Sequence, residues 1–100
     1  MVYRGSLFSV HLLPNALGST RLGLSVSKKV GGAVKRNKVR RRLKEIFRSS
    51  MKNLPDDADF VISARPPAAE ASFEELNDEF LRSLSRLSKR TGSGEARNAS

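Results

Sequence analysis

One hundred residues suffice for one small domain, and an apolar content of 38% is typical of a folded chain rather than a disordered one. The absence of cysteine excludes a disulfide framework and a thiolate metal site. No segment reaches the roughly 20 apolar residues that span a bilayer, and the opening MVYRGSLFSVHLLPNAL lacks the pattern of a signal peptide. We therefore expect a soluble, unexported protein with no membrane partner, and the lack of cysteine is compatible with a cytoplasmic location.

The positive charge is concentrated in the first half of the chain. Residues 1–54 hold 13 Lys/Arg and one acid, whereas residues 55–100 hold 6 Lys/Arg and 9 acids. The balances are thus +12 and −3, which make up the net charge of +9. Such an asymmetry indicates a polyanionic partner for the first half.

The first predicted elements are two strands. Residues 7–13 (LFSVHLL) and 20–27 (TRLGLSVS) alternate apolar and polar side chains with the period of a half-buried strand. Pro14, Asn15 and Gly18 mark a turn between them. We therefore expect the two strands to pair as an antiparallel hairpin.

A basic helix, a strand and a closing helix follow. A pair of glycines ends the strand pattern, and a helix is predicted from about Ala33 to about Lys52, before a proline. DADFVISARPP reads as a short strand closed by two prolines. The closing helix starts with the capping-box pair Ser72 and Glu75. Its apolar positions at helical spacing are Phe73, Leu76, Phe80, Leu84 and Leu87.

This order of elements predicts a single α+β domain in two layers, a sheet with helices packed on it. We place the domain at residues 1–88 and a disordered polar tail at residues 89–100, where small polar residues dominate. If the strands joined by the basic helix are parallel neighbours, the general rule makes the crossover right-handed in about 98% of cases.

The basic helix, AVKRNKVRRRLKEIFR at residues 33–48, has two distinct faces. One sector of about 100° is apolar and is predicted to face the core. It comprises Val39, Leu43, Ile46 and Phe47, with Met51 at its margin. The opposite side carries a row that we call the charged line, which consists of Asn37, Arg41, Lys44 and Arg48, with Arg40 beside it. Lys38 and Arg42 lie on a third flank.

The charge of this helix is not compensated within it. Eight Lys/Arg face a single acid, Glu45, although like charges four residues apart repel. A merely solvated surface normally intersperses acids, so we favour a phosphate-bearing partner. Two features stay open: Asn37 suits a hydrogen bond to a ligand or a helix cap. The preceding Ser27, Lys28 and Lys29, next to glycines, suit either a phosphate contact or a simple turn.

The segment RLGLSVSKKVGGAVKRNKVRRRLKE resembles the protein subunit of bacterial ribonuclease P. The signature of that family is a GLSVSKK-type strand followed by a helix with the pattern R-N-x-x-K/R-R-x-x-R, the RNR motif. Here the motif comprises Arg36, Asn37, Arg40, Arg41 and Lys44, preceded in the expected places by Ser27, Lys28, Lys29, Gly31 and Ala33. DADFVISARPPA resembles the third strand of the family, and the likeness covers about residues 4–88.

The resemblance implies a fold and an activity. The fold would have a small mixed sheet and a left-handed β-α-β crossover, against the general rule. The chain would be the non-catalytic protein subunit of an endoribonuclease that removes the 5′ leader of precursor tRNA. Its contacts with ribonuclease P RNA would come from Arg36, Asn37, Lys38, Arg40, Arg41, Lys44, Arg48, Lys28 and Lys29.

The resemblance also implies a cleft, beside the sheet, for the single-stranded leader. Its candidate contacts are His11, Ser27, Arg36 and Arg40. For His11, stacking on a leader base competes with a buried structural role. The chain shows no catalytic constellation and no metal site, so Mg²⁺ bound by the partner RNA would supply the chemistry. No protein partner is expected.

Two departures from the family pattern are visible. Family members usually begin with a further helix whose phenylalanines line the leader cleft, whereas this chain starts at Met1 without it. We expect either a trimmed or misplaced start, or an incomplete leader site. Lys44 stands where arginine is common, which keeps the charge but loses the planar fork that grips phosphate.

Two other functions fit the charge pattern. A ribosomal type of protein that binds structured RNA, with no role in processing, would show the same basic helix. A basic amphipathic helix also binds anionic membranes or acidic proteins. The apolar stripe distinguishes this second alternative, since a stripe committed to the core is not available to a membrane.

Overall fold

The computed structural model describes residues 1–55 and 57–91, with side chains up to residue 87. The strands are β1 (Val2–Arg4), β2 (Phe8–Pro14), β3 (Arg21–Ser25) and β4 (Ala58–Ala64), and the helices are α1 (Ala33–Ser49) and α2 (Phe73–Thr91). Short 3₁₀ turns cover Lys28–Val30, Met51–Asn53 and Pro66–Glu70. Within these residues, neither helix combines the length and the apolar character needed to cross a bilayer.

The four strands form one mixed sheet in the order β1-β2-β4-β3. Strands β1 and β2, and β2 and β4, are antiparallel, whereas β3 and β4 are parallel. The predicted hairpin is therefore wrong, because β4 lies between its two strands. The loop that leaves β2 is tied to the start of β4 instead: the Asn15 N–H donates to the carbonyl oxygen of Asp57 at 2.7 Å. The side-chain Nδ2 of Asn15 also donates to Asp59 Oδ1 at 2.7 Å.

The basic helix α1 joins β3 to β4, the two parallel neighbours that a crossover requires. It ends at Ser49, three residues before the predicted Lys52. Ser50 leaves the helix with φ −98° and ψ 1°, and its N–H donates to the carbonyl oxygens of both Ile46 and Phe47. The chain then tightens into a 3₁₀ turn, in keeping with the common narrowing of the last helical turn.

The core lies between one face of the sheet and the two helices. The sheet contributes Phe8, Val10, Phe60 and Ile62, α1 contributes Val39, Leu43, Ile46 and Phe47, and α2 contributes Leu76, Phe80 and Leu87. Phe47 lies at the centre, with its ring edge-to-face against Phe60 at 5.5 Å and against Phe80 at 6.2 Å between centroids. The predicted stripe of α1 is thus confirmed, while Met51 at its margin is 45% exposed.

The closing helix begins as predicted. The backbone N–H of Ser72 donates to Glu75 Oε1 at 2.8 Å, and the N–H of Glu75 donates to Ser72 Oγ at 3.1 Å. Phe73, the first of the apolar positions at helical spacing, is 39% exposed, because it occupies the first position of the helix. The helix continues to Thr91, into the segment predicted as a disordered tail, and residues 92–100 lie outside the described residues.

Candidate nucleic-acid interface

The chain enters α1 through a capped turn. Ser27 Oγ accepts the N–H of Lys29 at 3.3 Å and so caps the 3₁₀ turn that precedes the helix. Gly31 has φ +148°, and a Cβ at that position would lie 3.0 Å from the side chain of Lys35. Gly32 gives α1 no side-chain cap. The first amides of α1 thus have no acceptor from the cap side chain, and the exposed Lys28 and Lys29 precede them in the chain.

The charged line lies on the side of α1 that faces away from the core, and all four of its members are exposed. Arg41 and Lys44 form no ion pair with any residue that the structure describes. Arg48 Nη1 lies 3.4 Å from Glu45 Oε1, an exposed pair of the kind that contributes little to stability. Arg40 Nη1 donates to Asn37 Oδ1 at 3.4 Å. This surface thus presents fixed positive charge with little internal compensation.

Arg36 and Lys38 are half-buried, and helical spacing places them on opposite sides of the charged line. The Nε atom of Arg36 is buried and has no hydrogen-bond partner within the described part of the chain. A buried donor without an acceptor destabilises the folded chain, so an acceptor brought by a ligand would relieve that cost.

Two other cations of α1, Arg42 and Lys35, serve the fold rather than the RNA surface. Arg42 Nη1 donates to the carbonyl oxygen of Ala71 at 2.9 Å, which ties α1 to the start of α2. Lys35 Nζ lies 3.1 Å from Glu70 Oε2. The eight cations of the helix therefore divide into structural and outward-facing groups, a division that spacing alone does not show.

The sheet face opposite the helices is not covered by any element among residues 1–55 and 57–91. We call it the open face. His11 lies at its centre, half-buried, with Val2 and Val61 as its neighbours on the adjacent strands. The alternation of residues 7–13 predicts that His11 lies on the face opposite Phe8, and the strand register confirms this position.

One end of the open face carries an ion pair. Arg21 and Asp59 are neighbours on β3 and β4, and Arg21 Nη2 lies 2.8 Å from Asp59 Oδ2. Hydrogen bonds from Arg21 and then from Asn15 lower the pKa of Asp59 to about 2. The carboxylate is thus charged at neutral pH and compensates the guanidinium at this end.

Among the described residues, no three His, Cys, Asp or Glu side chains come together in a way that suits a metal ion. The acids near α1 and the open face are Glu45, Asp59 and Glu70, and each of them contacts a cation. The described residues therefore do not fit a dedicated Mg²⁺ site.

Comparisons with known proteins agree with this geometry. The family model described as Ribonuclease P matches residues 2–88. A ribonuclease P protein component from Streptococcus pneumoniae is 40% identical over 89 residues, which cover 87% of this chain and 72% of that protein. This chain belongs to the ribonuclease P protein family. The residues that the family model matches include the sheet, the charged line and most of α2.

Solved structures of the family confirm the fold class. The RNase P protein from Thermotoga maritima, in complex with 1-(4-fluorophenyl)-2-thiourea, matches with a TM-score of 0.78 and 31% identity over 86% of this chain and 84% of that one. The RNase P protein of Staphylococcus aureus gives a TM-score of 0.73 and 31% identity over 89% and 81%. The predicted α+β domain with a small mixed sheet is therefore confirmed.

Membership of this family gives the chain its activity. It is the RNA-binding protein subunit of ribonuclease P, a ribonucleoprotein endoribonuclease of tRNA processing in which catalysis is RNA-based, and ribonuclease P RNA is its partner. The ribosomal alternative is thereby set aside. The membrane alternative is wrong, because the apolar stripe of α1 is at most 6% exposed and is therefore not available to a bilayer.

Two features of the fold escaped the sequence reasoning. β1 spans only three residues, too few for any periodic signal. The acid Glu79 of α2 would be expected at the surface, yet it is only 2% exposed and accepts backbone N–H groups of the β1–β2 turn. The apolar residues Leu76 and Phe80, three residues before and one after it, are a sequence hint that position 79 borders the core.

Proposed function

We propose that the charged line of α1 holds the phosphate backbone of ribonuclease P RNA. The observation that carries this proposal is the exposure of Arg41 and Lys44 without an ion pair within the described residues, behind a fully packed apolar stripe. Arg48, Lys38 and the two lysines before α1 extend the same surface. If about five phosphates are neutralised, log K should fall with log salt with a slope of about −3.5 to −4.5.

A second surface would hold the 5′ leader of precursor tRNA. Arg36 and Arg40 lie beside the charged line. The buried Nε of Arg36 has no acceptor within the described residues, and the leader could supply one. The hydroxyl of Ser27 accepts the Lys29 amide and keeps its own proton to donate to a phosphate. His11 presents an imidazole on the open face, where a base can stack on it.

The binding of the leader gives the subunit a role in substrate choice. Only the precursor has a leader, so contacts with it favour the substrate over mature tRNA. We place this activity in the cytoplasm, where the precursor is the second RNA partner. Divalent ions would be held by the RNA subunit, since the described protein residues do not form a site for them.

We expect His11→Ala to weaken the binding of precursor tRNA by the reconstituted holoenzyme about tenfold, because base stacking on a side chain contributes about 1–3 kcal/mol. The affinity for mature tRNA should not change. Both affinities can be measured by titration of labelled tRNA, with and without a leader.

The control for this substitution is the affinity of the variant for ribonuclease P RNA alone, which should equal that of the wild type. His11→Phe keeps an aromatic ring and should retain most of the leader-dependent affinity. Equal losses for precursor and mature tRNA would contradict a leader contact at His11.

A further inference from the structure

A second feature of the open face is a row of side chains that runs across the strands rather than along them. Strand register places Ser9 of β2 opposite Ser63 of β4, and Ser63 opposite Ser25 of β3. Directly opposed residues in a sheet share a face, and each serine alternates with a core residue, so all three hydroxyls lie on the open face. Arg4 of β1, opposite Ser9, completes the row.

The three hydroxyls are not used by the fold. None of Ser9, Ser25 and Ser63 forms a side-chain hydrogen bond within the described part of the chain, in contrast to Ser27, Ser49, Ser72 and Ser83. Ser25 is exposed, and Ser9 and Ser63 are half-buried. With strands about 4.8 Å apart, the row spans about 10 Å from Ser9 to Ser25.

The charges around the row indicate an anionic strand as its occupant. Arg4 lies at one end, exposed and without an ion pair among the described residues. At the other end, β3 continues into Ser27, Lys28 and Lys29 and so into the surface of α1. Asp59, an acid of the open face, lies on the same strand as Ser63 but four residues away. It forms an ion pair with Arg21, which neutralises its charge. The row is thus continuous with the proposed RNA interface.

The chemistry of the row suits ribose better than phosphate. Arginine and lysine at its ends are the usual phosphate ligands. A serine hydroxyl both donates and accepts, as does the ribose 2′-hydroxyl, the group that distinguishes RNA from DNA. The adjacent row across the strands consists of Val2, His11 and Val61. These apolar and aromatic side chains can pack against bases.

We propose that Ser9, Ser63 and Ser25 recognise ribose 2′-hydroxyls of a single-stranded leader that crosses the sheet from Arg4 towards Lys28. This inference rests on the proposed leader function, and it adds the direction of the strand and the group that is read. A leader with 2′-deoxyribose would keep its phosphates and bases but lose the partners of this row.

The test uses the holoenzyme reconstituted from the full chain and ribonuclease P RNA. Three substrates are compared: precursor tRNA with an all-ribose leader, precursor with a 2′-deoxyribose leader, and mature tRNA. The wild type should bind the deoxy leader about tenfold more weakly than the ribose leader, since three neutral hydrogen bonds are lost. Ser9→Ala/Ser25→Ala/Ser63→Ala should bind both leaders alike, at the level of the wild type with the deoxy leader.

Two further variants complete the design. Ser9→Thr/Ser25→Thr/Ser63→Thr keeps all three hydroxyls on residues that favour strands, and should restore the preference for ribose. Ser85→Ala, an exposed serine of α2 on the other side of the molecule, should behave as the wild type. Unchanged affinity of each variant for ribonuclease P RNA establishes that it is folded.

Equal binding of ribose and deoxy leaders by the wild type would overturn the inference, even if the alanine variant does not fold. Retention of the full ribose preference by a folded alanine variant would overturn it as well. Failure of the wild type to distinguish precursor from mature tRNA would contradict the proposed leader function itself, which is a separate outcome.

Discussion

We expect replacement of both Arg41 and Lys44 by alanine to reduce the affinity for ribonuclease P RNA by about 10- to 100-fold at moderate salt. Each side chain is exposed on the charged line and has no ion pair within the described residues, so its charge is available to a phosphate. Each lost phosphate contact should also make the salt slope shallower by about one unit, and the pair by about two. Filter binding over a series of salt concentrations measures both quantities.

A matched control separates this effect from net charge. Arg82→Ala/Arg86→Ala also removes two positive charges, but from exposed positions of α2 that are far from the charged line in sequence. Arg82 also lies 3.6 Å from Glu79, so the Arg86→Ala single variant serves as a second control. We expect the slope of each control to stay within half a unit of the wild type. A slope that is the same in the α1 variant and the wild type would remove Arg41 and Lys44 from the interface.

The largest loss of stability should come from Glu79→Ala. The Glu79 carboxylate is buried, and its Oε2 accepts the backbone N–H groups of Leu7 and Phe8 at 2.9 and 3.1 Å. Its Oε1 accepts the Ser6 hydroxyl at 3.3 Å. The carboxylate thus fastens the β1–β2 turn to α2, and Gly5 is needed there because a Cβ would collide with Oε2.

Removal of the carboxylate would leave two backbone donors without their acceptor in a buried turn. Each such donor destabilises the fold by about 1–3 kcal/mol, so we expect a loss of about 3 kcal/mol in the free energy of unfolding. For a domain of this size, that corresponds to a decrease in Tm of roughly 10–20 °C. Urea titration and thermal unfolding, both followed by circular dichroism, measure the two values.

Two substitutions define the origin of this effect. Glu79→Gln keeps one acceptor oxygen, and should lose about half as much stability as the alanine variant. Asp78→Ala, at the adjacent exposed position of α2, should change stability by less than about 0.5 kcal/mol. A loss of less than 1 kcal/mol for Glu79→Ala would mean that water replaces the carboxylate at the turn.

The faces of the elements could be predicted from the sequence, whereas the pairing of the strands could not. Periodicity placed Val39, Leu43 and Phe47 in the core and His11 on the open face, because side-chain direction follows from local geometry. The partner of a strand depends on contacts that are distant in sequence. The Asn15 contacts with Asp57 and Asp59 help to place β4 beside β2, and no local pattern encodes them.

The same distinction holds for the candidate site. The spacing of Arg41 and Lys44 predicted an exposed charged line, since both positions are set by one helix. The row of Ser9, Ser63 and Ser25 comes from three strands whose register depends on the order of the sheet. Its members are far apart in the sequence, and serine is a common residue, so no single one of them indicates a binding site.

The central claim is that this chain assists an RNA catalyst in precursor processing by supplying positive charge and a hold on the leader. Its most direct test is cleavage of precursor tRNA by ribonuclease P RNA over a magnesium titration, with and without the full chain. The protein should shift the magnesium midpoint to lower concentration, and the Arg41→Ala/Lys44→Ala variant should require more protein for the same shift. A midpoint that does not move at saturating wild-type protein would contradict the claim.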